Sequence, residues 1–198
     1  MPTPTAPLIL GSESPYRAAV LATTGLPFTQ AAAAIDEAAH KHSLHTQSPE
    51  ALALGLAHAK GAAVSALHPE AIVIAADQVC AFENQLLSKP MTADVAIQQL
   101  NQLANRSHQL INGVVLYQHG KGLWGTTHTC TLHMRSLTDA EIAHYVHCDE
   151  PYFSCGAYKF ESLGIHLFSE VEGTSDAIQG LPLLPLLSAM RAHELYTL

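Results

Sequence analysis

Positive charge is what this 198-residue chain has least of: nine lysines and arginines stand against seventeen acids, for a formal net charge of −8. The nine cations are strewn singly from Arg17 to Arg191 with no basic run, which argues against a nucleic-acid partner. Any site for an anion must therefore gather isolated cations in space. Charge of either sign is scarce as well, at 13%, and with 48% hydrophobic residues this composition excludes a disordered chain. The four cysteines, Cys80, Cys130, Cys148 and Cys155, form no C-x-x-C pair. That excludes a zinc or disulfide framework and fits a reducing compartment. No apolar run approaches a membrane span, and Met1 to Pro7 carries prolines and threonines without the charge or apolar core of a signal peptide. A cytoplasmic protein without a membrane partner is expected. Thirteen histidines are present, but His40/His42/His45 and His144/His147 lack neighbouring cysteines or carboxylates in a recognisable ligand pattern and read as surface histidines. No repeat, low-complexity tract or separating linker is visible, so residues 1–198 are expected to form a single domain that can bury a core unaided.

What is there centres on Ala71-Ile72-Val73-Ile74-Ala75-Ala76-Asp77-Gln78-Val79-Cys80. The β-branched and small apolar run predicts a strand buried on both faces, which has no structural use for Asp77. Asp77 either starts a turn or, with Gln78 and the following Ser88-Lys89-Pro90, forms a polar site at the strand's carboxyl end. Before it, Leu8 to Gly11 reads as a short strand, and Ser14-Pro15 as the cap and first residue of a helix ending at Gly25. A strand feeding a serine-rich helix start is an anion-binding arrangement, and Arg17 in its first turn is either solvated or holding that anion. Asp36-Glu37 is either a solvated turn or an oxygen donor pair for a hard divalent cation. Residues 38–47 are expected to be a mobile loop. Ser48-Pro49 opens a helix to about Leu67 with Leu52, Leu56, Ala59, Ala63 and Leu67 on one face and Lys60 at its edge, either snorkelling or pointing into a cleft.

After the central strand, Glu83-Asn84-Gln85 reads as a hairpin turn and Thr92 as the cap of a helix to about Asn105. Residues 108–117 and 123–134 alternate as two antiparallel strands around His119-Gly120-Lys121-Gly122. Thr138-Asp139-Ala140-Glu141 is a capping box, Gly164 to Val171 reads as a strand, and Gly180-Leu181-Pro182 leads into a last apolar helix. The order of elements predicts an α/β fold with a mixed, partly antiparallel sheet flanked by helices.

Taken together, Leu10-Gly11-Ser12-x-Ser14-Pro15-x-Arg17, Asp36-Glu37, Lys60, Ala76-Asp77-Gln78-Val79, Lys89-Pro90, Gly113, Gly156-Ala157-Tyr158 with Glu161, and Gly180-Leu181-Pro182 resemble the Maf family of nucleotide pyrophosphatases, in family order from about Leu8 to Met190. The resemblance implies a fold of two lobes around a central cleft, a divalent metal cofactor (Mg²⁺ or Mn²⁺), a tendency to form homodimers, and a nucleoside triphosphate substrate split to monophosphate and pyrophosphate. It implies Asp77 as proton acceptor. Tyr16, Gln78 and Glu161 look like the branch acting on 7-methyl-GTP rather than the one acting on dTTP and UTP. Four positions depart from the family pattern: Tyr16 is not tryptophan, Ala18 stands for a second arginine, Ser88 for a glycine and Asn112 for a threonine.

The residues fit that chemistry on their own terms. Arg17, Lys60 and Lys89, with Ser12 and Ser14 at the helix start, can neutralise phosphates, while Glu37 and Asp77 can hold a metal. A glutamate such as Glu161 can accept from guanine N1–H and N2–H together, and a ring such as Tyr16 attracts a base made cationic by methylation. A broad-specificity or pyrimidine-specific enzyme, a nucleotide-binding regulator and a purely structural protein are the other readings. Pyrophosphate release separates enzyme from regulator, and nucleotide-dependent stabilisation separates both from the third.

Overall fold

The run at Ile72–Phe82 folds as one strand in which every residue is buried except the partly exposed Gln78. β-branched side chains pack well on a pleated surface, and this strand also carries Asp77. The computed structural model describes residues 1–43, 47–83 and 85–198. In chain order the elements are β1 (Thr3–Pro4), β2 (Leu8–Leu10), α1 (Pro15–Ala22), β3 (Thr29–Gln30), α2 (Glu37–Ser43), α3 (Pro49–Leu67), β4 (Ile72–Phe82), β5 (Gln85–Leu87), α4 (Ala93–Leu103), β6 (Ser107–Gln118) and β7 (Lys121–Met134). They continue with α5 (Asp139–Asp149), a 3₁₀ turn (Leu163–Leu167), β8 (Phe168–Glu172), α6 (Ser175–Ile178), α7 (Leu183–Ala192) and β9 (Tyr196–Thr197).

One mixed sheet runs β3-β2-β4-β6-β7-β8, with β5 folded back on β4, and β1 pairs with β9 apart from it. β2 is parallel to both β3 and β4, whereas β4–β5 and β7–β8 are antiparallel. The expected α/β fold with a mixed sheet and flanking helices is what forms. Its contacts divide into two units, each built from separated stretches: residues 1–78, 112–128 and 179–198, and residues 79–111 and 129–178. β4, β6 and β7 each supply residues to both.

In the first unit, strand alternation sends residues two ways. Leu8, Leu10, Ile72, Ile74, Val114 and Leu116 pack with Val20 and Leu21 of α1 and Leu186 and Met190 of α7. Ile9, Val73, Ala75, Val115 and Tyr117 pack with Ala57 and Val64 of α3. Asp77 continues the odd-numbered series that faces α3. In the second unit a core of Phe82, Leu100, Leu103, Leu132, Ile142 and Tyr158 forms, with α4 against α5.

Several expectations differ from the structure. Residues 38–43 belong to α2 rather than a loop, because Asp36 caps it by accepting from Ala39 N at 3.0 Å and Glu-Ala-Ala favours helix; residues 44–46 lie outside the described residues, as do His45 and the expected turn residue Asn84. The inward face of α3 is Leu52, Ala53, Leu56, Ala57, Gly61 and Val64, while Leu67 is 68% exposed. Asp77 neither starts a turn nor ends a strand, since β4 runs five residues past it as the first half of the β4–β5 hairpin. The stretch expected as a strand from Gly164 begins as a 3₁₀ turn and extends only from Phe168.

Candidate active site

The N-terminus of α1 is organised by its two serines. Ser14 caps the helix, its Oγ accepting from Arg17 N at 3.4 Å, with Pro15 pre-set in the first turn. Ser12 Oγ accepts from Ser14 N at 3.2 Å and from Arg17 Nη1 at 3.3 Å, and the Gln30 side chain donates to the Ser12 carbonyl at 2.8 Å. Arg17 Nε donates to the Gly180 carbonyl at 3.0 Å. Gly180 sits at φ +96, where a Cβ would also come 3.0 Å from that same Nε, so a side chain there would strain the backbone and crowd the arginine. Arg17 is therefore a positioned group rather than a solvated one, and the half-buried Tyr16 precedes it on the helix.

A second cluster joins α2, α3 and β4. Lys60 follows Leu56 and precedes Val64 by four residues each, so it lies in line with the buried face of α3 and not at its edge. Its ammonium donates to Asp77 Oδ1 at 2.6 Å and pairs with Glu37 Oε1 at 2.8 Å. The Lys60 and Asp77 side chains are only 12% and 10% exposed, while Glu37 is half-exposed at 47%. Two glycines let α3 come this close to the sheet: a Cβ on Gly61 would sit 2.7 Å from the Tyr117 ring, and one on Gly113 would sit 2.3 Å from the Ala53 carbonyl oxygen. Two carboxylates already converging on one cation form the hard oxygen donor set that Mg²⁺ or Mn²⁺ takes. Among the described residues no group of three or more His, Cys, Asp or Glu gathers, so further ligands to such an ion would have to be substrate phosphates or water.

Gln78, next on β4, turns to the other side of the strand. Its Nε2 donates to Asn112 Oδ1 at 3.1 Å, and Asn112, fully buried, donates from Nδ2 to the His128 carbonyl at 3.4 Å.

Lys89 and Glu161 belong to the second unit. Lys89 is exposed between β5 and α4, on a stretch tied by Gln99 Nε2 donating to the Ser88 carbonyl at 2.8 Å. Glu161 is exposed by area, yet the protein around its carboxyl raises its pKa above the usual glutamate range, with the charge of Asp149 acting the same way. Asp149 is buried and accepts from Ser162 Oγ at 2.7 Å, and Lys159 donates to its backbone carbonyl. Tyr158 donates to or accepts from His108 Nε2 at 2.7 Å inside that unit's core.

The sequence profile of the family described as Maf-like protein matches residues 7–193. The chain belongs to that family. Curated relatives named nucleoside triphosphate pyrophosphatase include one from Bradyrhizobium diazoefficiens, 40% identical over 191 residues that cover 96% of this chain and 95% of the relative. One from Rhodospirillum rubrum is 40% identical over 191 residues (94% and 95%), and one from Legionella pneumophila strain Paris is 36% identical over 184 (93% and 92%).

Of the residues that the sequence singles out in this Maf-like chain, the structure joins Ser12, Ser14 and Arg17 in one group and Glu37, Lys60 and Asp77 in another. Tyr16 and Gln78 belong to the same unit as both groups. Sequence reasoning missed the Gly180 carbonyl, Gln30 and the role of Asn112, which it marked only as a departure. A backbone carbonyl leaves no trace in a sequence, whereas an amide next to Gly113 in a strand was a signal that could have been followed.

Proposed function

We propose that this chain hydrolyses a nucleoside triphosphate between the α and β phosphates, giving nucleoside monophosphate and pyrophosphate, with 7-methyl-GTP as preferred substrate. The observation that carries the reading is the Glu37–Lys60–Asp77 cluster, a cation and two carboxylates brought together in a chain poor in cations. The names of the relatives support the pyrophosphatase activity, and the residues at positions 16, 78 and 161 support the choice of base.

Asp77 accepts the proton of the water that attacks the α-phosphorus, while the phosphoanhydride bond breaks and pyrophosphate leaves. A divalent cation held by Glu37 and Asp77 would neutralise charge on the phosphates; a carboxylate has two oxygens, so Asp77 can serve both duties. Arg17, Lys60 and Lys89 hold phosphate oxygens, with Ser12 and Ser14 keeping Arg17 and the helix start in place. Glu161 accepts from the guanine edge, and Gln78 contributes to the choice of base. Tyr16 offers its face to a cationic ring, a contact of about 0.5–2 kcal/mol, or roughly twofold to thirtyfold in preference.

The experiment is kcat/KM from pyrophosphate release with 7-methyl-GTP, GTP, dTTP and UTP, after chelation and with Mg²⁺ or Mn²⁺ restored. The expected order puts 7-methyl-GTP first, with activity returning on metal addition. Tyr16→Leu should cost 7-methyl-GTP more than GTP, and Glu161→Gln should relax the preference for guanine. A pyrimidine triphosphate as best substrate would overturn the base assignment and leave the activity standing; nucleotide binding without pyrophosphate release would make the chain a regulator.

A further inference from the structure

The pair formed by Gln78 and the buried Asn112 has a direction. The His128 backbone carbonyl can only accept, so the end of Asn112 that faces it, at 3.4 Å, must be the amide nitrogen. The opposite end of Asn112, its Oδ1, can only accept as well, so the end of Gln78 that meets it at 3.1 Å must again be an amide nitrogen. One backbone oxygen on β7 thereby fixes the orientation of two side-chain amides in series. Reversing Gln78 alone would set two carbonyl oxygens against each other in a part-buried contact, and reversing both would set Asn112 Oδ1 against the His128 carbonyl. Asn112 cannot move to relieve either clash, since it is fully buried on β6 beside Gly113, whose own Cα is pressed against Ala53.

We propose that Asn112 is a positioning residue for base selection: it holds the Gln78 amide with its nitrogen turned inward, so that Gln78 addresses the base with its carbonyl oxygen. This rests on the reading of Gln78 as a base-contacting residue. It sharpens that reading, because an oxygen with two lone pairs seeks N–H groups. An acceptor at this position suits the N1–H and N2–H edge of guanine. It disfavours uracil or thymine, whose edge presents two carbonyl oxygens around a single N–H. A threonine at position 112, with one rotatable hydroxyl in place of an amide, would not impose a direction on Gln78 in this way.

The test is a double-mutant cycle with Asn112→Leu and Gln78→Ala, read as the ratio of kcat/KM for GTP to that for UTP. In parallel, the thermal shift that each nucleotide produces is measured on the same proteins. Asn112→Leu should lower the ratio by about tenfold, the scale of one hydrogen bond of about 1.4 kcal/mol. It should have no further effect on the ratio once Gln78 is alanine. Asn112→Thr, close to the original in size, carries the same cycle through should the leucine variant fail to fold, with a smaller fall in the ratio. A purely structural role would lower activity toward both nucleotides equally and leave the ratio alone. That outcome overturns the proposal, as would an equal fall in the ratio with and without Gln78. Absence of pyrophosphate release from the unmodified protein would sink the proposed activity instead, and the thermal-shift cycle would still decide the role of Asn112.

Discussion

Lys60 is held by two carboxylates, one of them almost buried, and this arrangement has a cost that a single substitution exposes. Removing the ammonium leaves Asp77 charged in a poorly solvated place with Glu37 close by, and an uncompensated buried charge of this kind costs about 3 kcal/mol or more. Lys60→Met should therefore lower stability in denaturant unfolding at neutral pH as well as removing the phosphate contact proposed for it. Adding Asp77→Asn removes the stranded charge and should restore a large part of the stability while leaving activity absent. Full additivity of the two losses would show that the pair is not coupled. At this scale the sequence drew attention to Asp77 in an apolar strand and to Lys60 beside an apolar stripe, while leaving a turn-starting acid and a snorkelling lysine as alternatives. It could not say that they touch, because the contact depends on α3 and β4 residues seventeen positions apart meeting across a sheet face.

The helix that delivers Lys60 is as much a product of glycine as of its own apolar face. α3 can lie against β6 only because Gly113 has no side chain, and the atom its Cβ would strike, 2.3 Å away, is backbone that cannot rotate aside. Gly113→Ala should displace α3 and cost roughly 1–3 kcal/mol or more by overpacking, with turnover falling further than stability because Lys60 shifts with the helix. Near-normal turnover and melting temperature in that variant would contradict the close approach. Capped elements were the legible ones: Ser14, Ser48, Thr92 and Thr138 each accept from the backbone nitrogen three residues on, as their sequence context predicts. Errors arose where the reading relied on apolar spacing alone. Alanine is compatible with either side of a helix, so a stripe drawn through Ala59 and Ala63 toward Leu67 was as consistent with the sequence as the true one through Ala53, Ala57 and Val64. The Leu163–Leu167 turn carries the apolar residues of a strand but buries only Gly164 and Leu167.

For the molecule as a whole, acid is the predicted weakness, and a buried histidine is one reason. His108 is 2% exposed, and burial pushes its pKa from the ordinary 6.5 down to about 4, with the neighbouring His133 acting the same way. The folded chain binds this proton less readily than the unfolded one, so stability is complete above pH 6.5 and is lost as pH falls toward 4, by on the order of 3 kcal/mol. His108→Gln should start from lower stability, having disturbed the bond to Tyr158, but should lose less of it over the same window when unfolding is followed against pH. An equal slope in the two proteins would assign acid sensitivity to carboxylates alone. The division into two interleaved units was not legible either, because units whose chain stretches alternate have no linker between them for a sequence to display.

That interleaving bears on how the protein is made. The second unit lies wholly within residues 79–178, whereas the first needs residues 179–198: Leu181, Leu186 and Met190 fill its core, Gly180 holds Arg17, and β9 pairs with β1. A ribosome releases the chain from its N-terminus. The strands and helices that carry Arg17, Lys60 and Asp77 therefore emerge early and wait, one apolar face uncovered, until residues 179–198 follow. The stretch from β1 to β4 thus keeps an apolar surface exposed while the whole of the second unit is being made, an interval in which a chaperone could cover it.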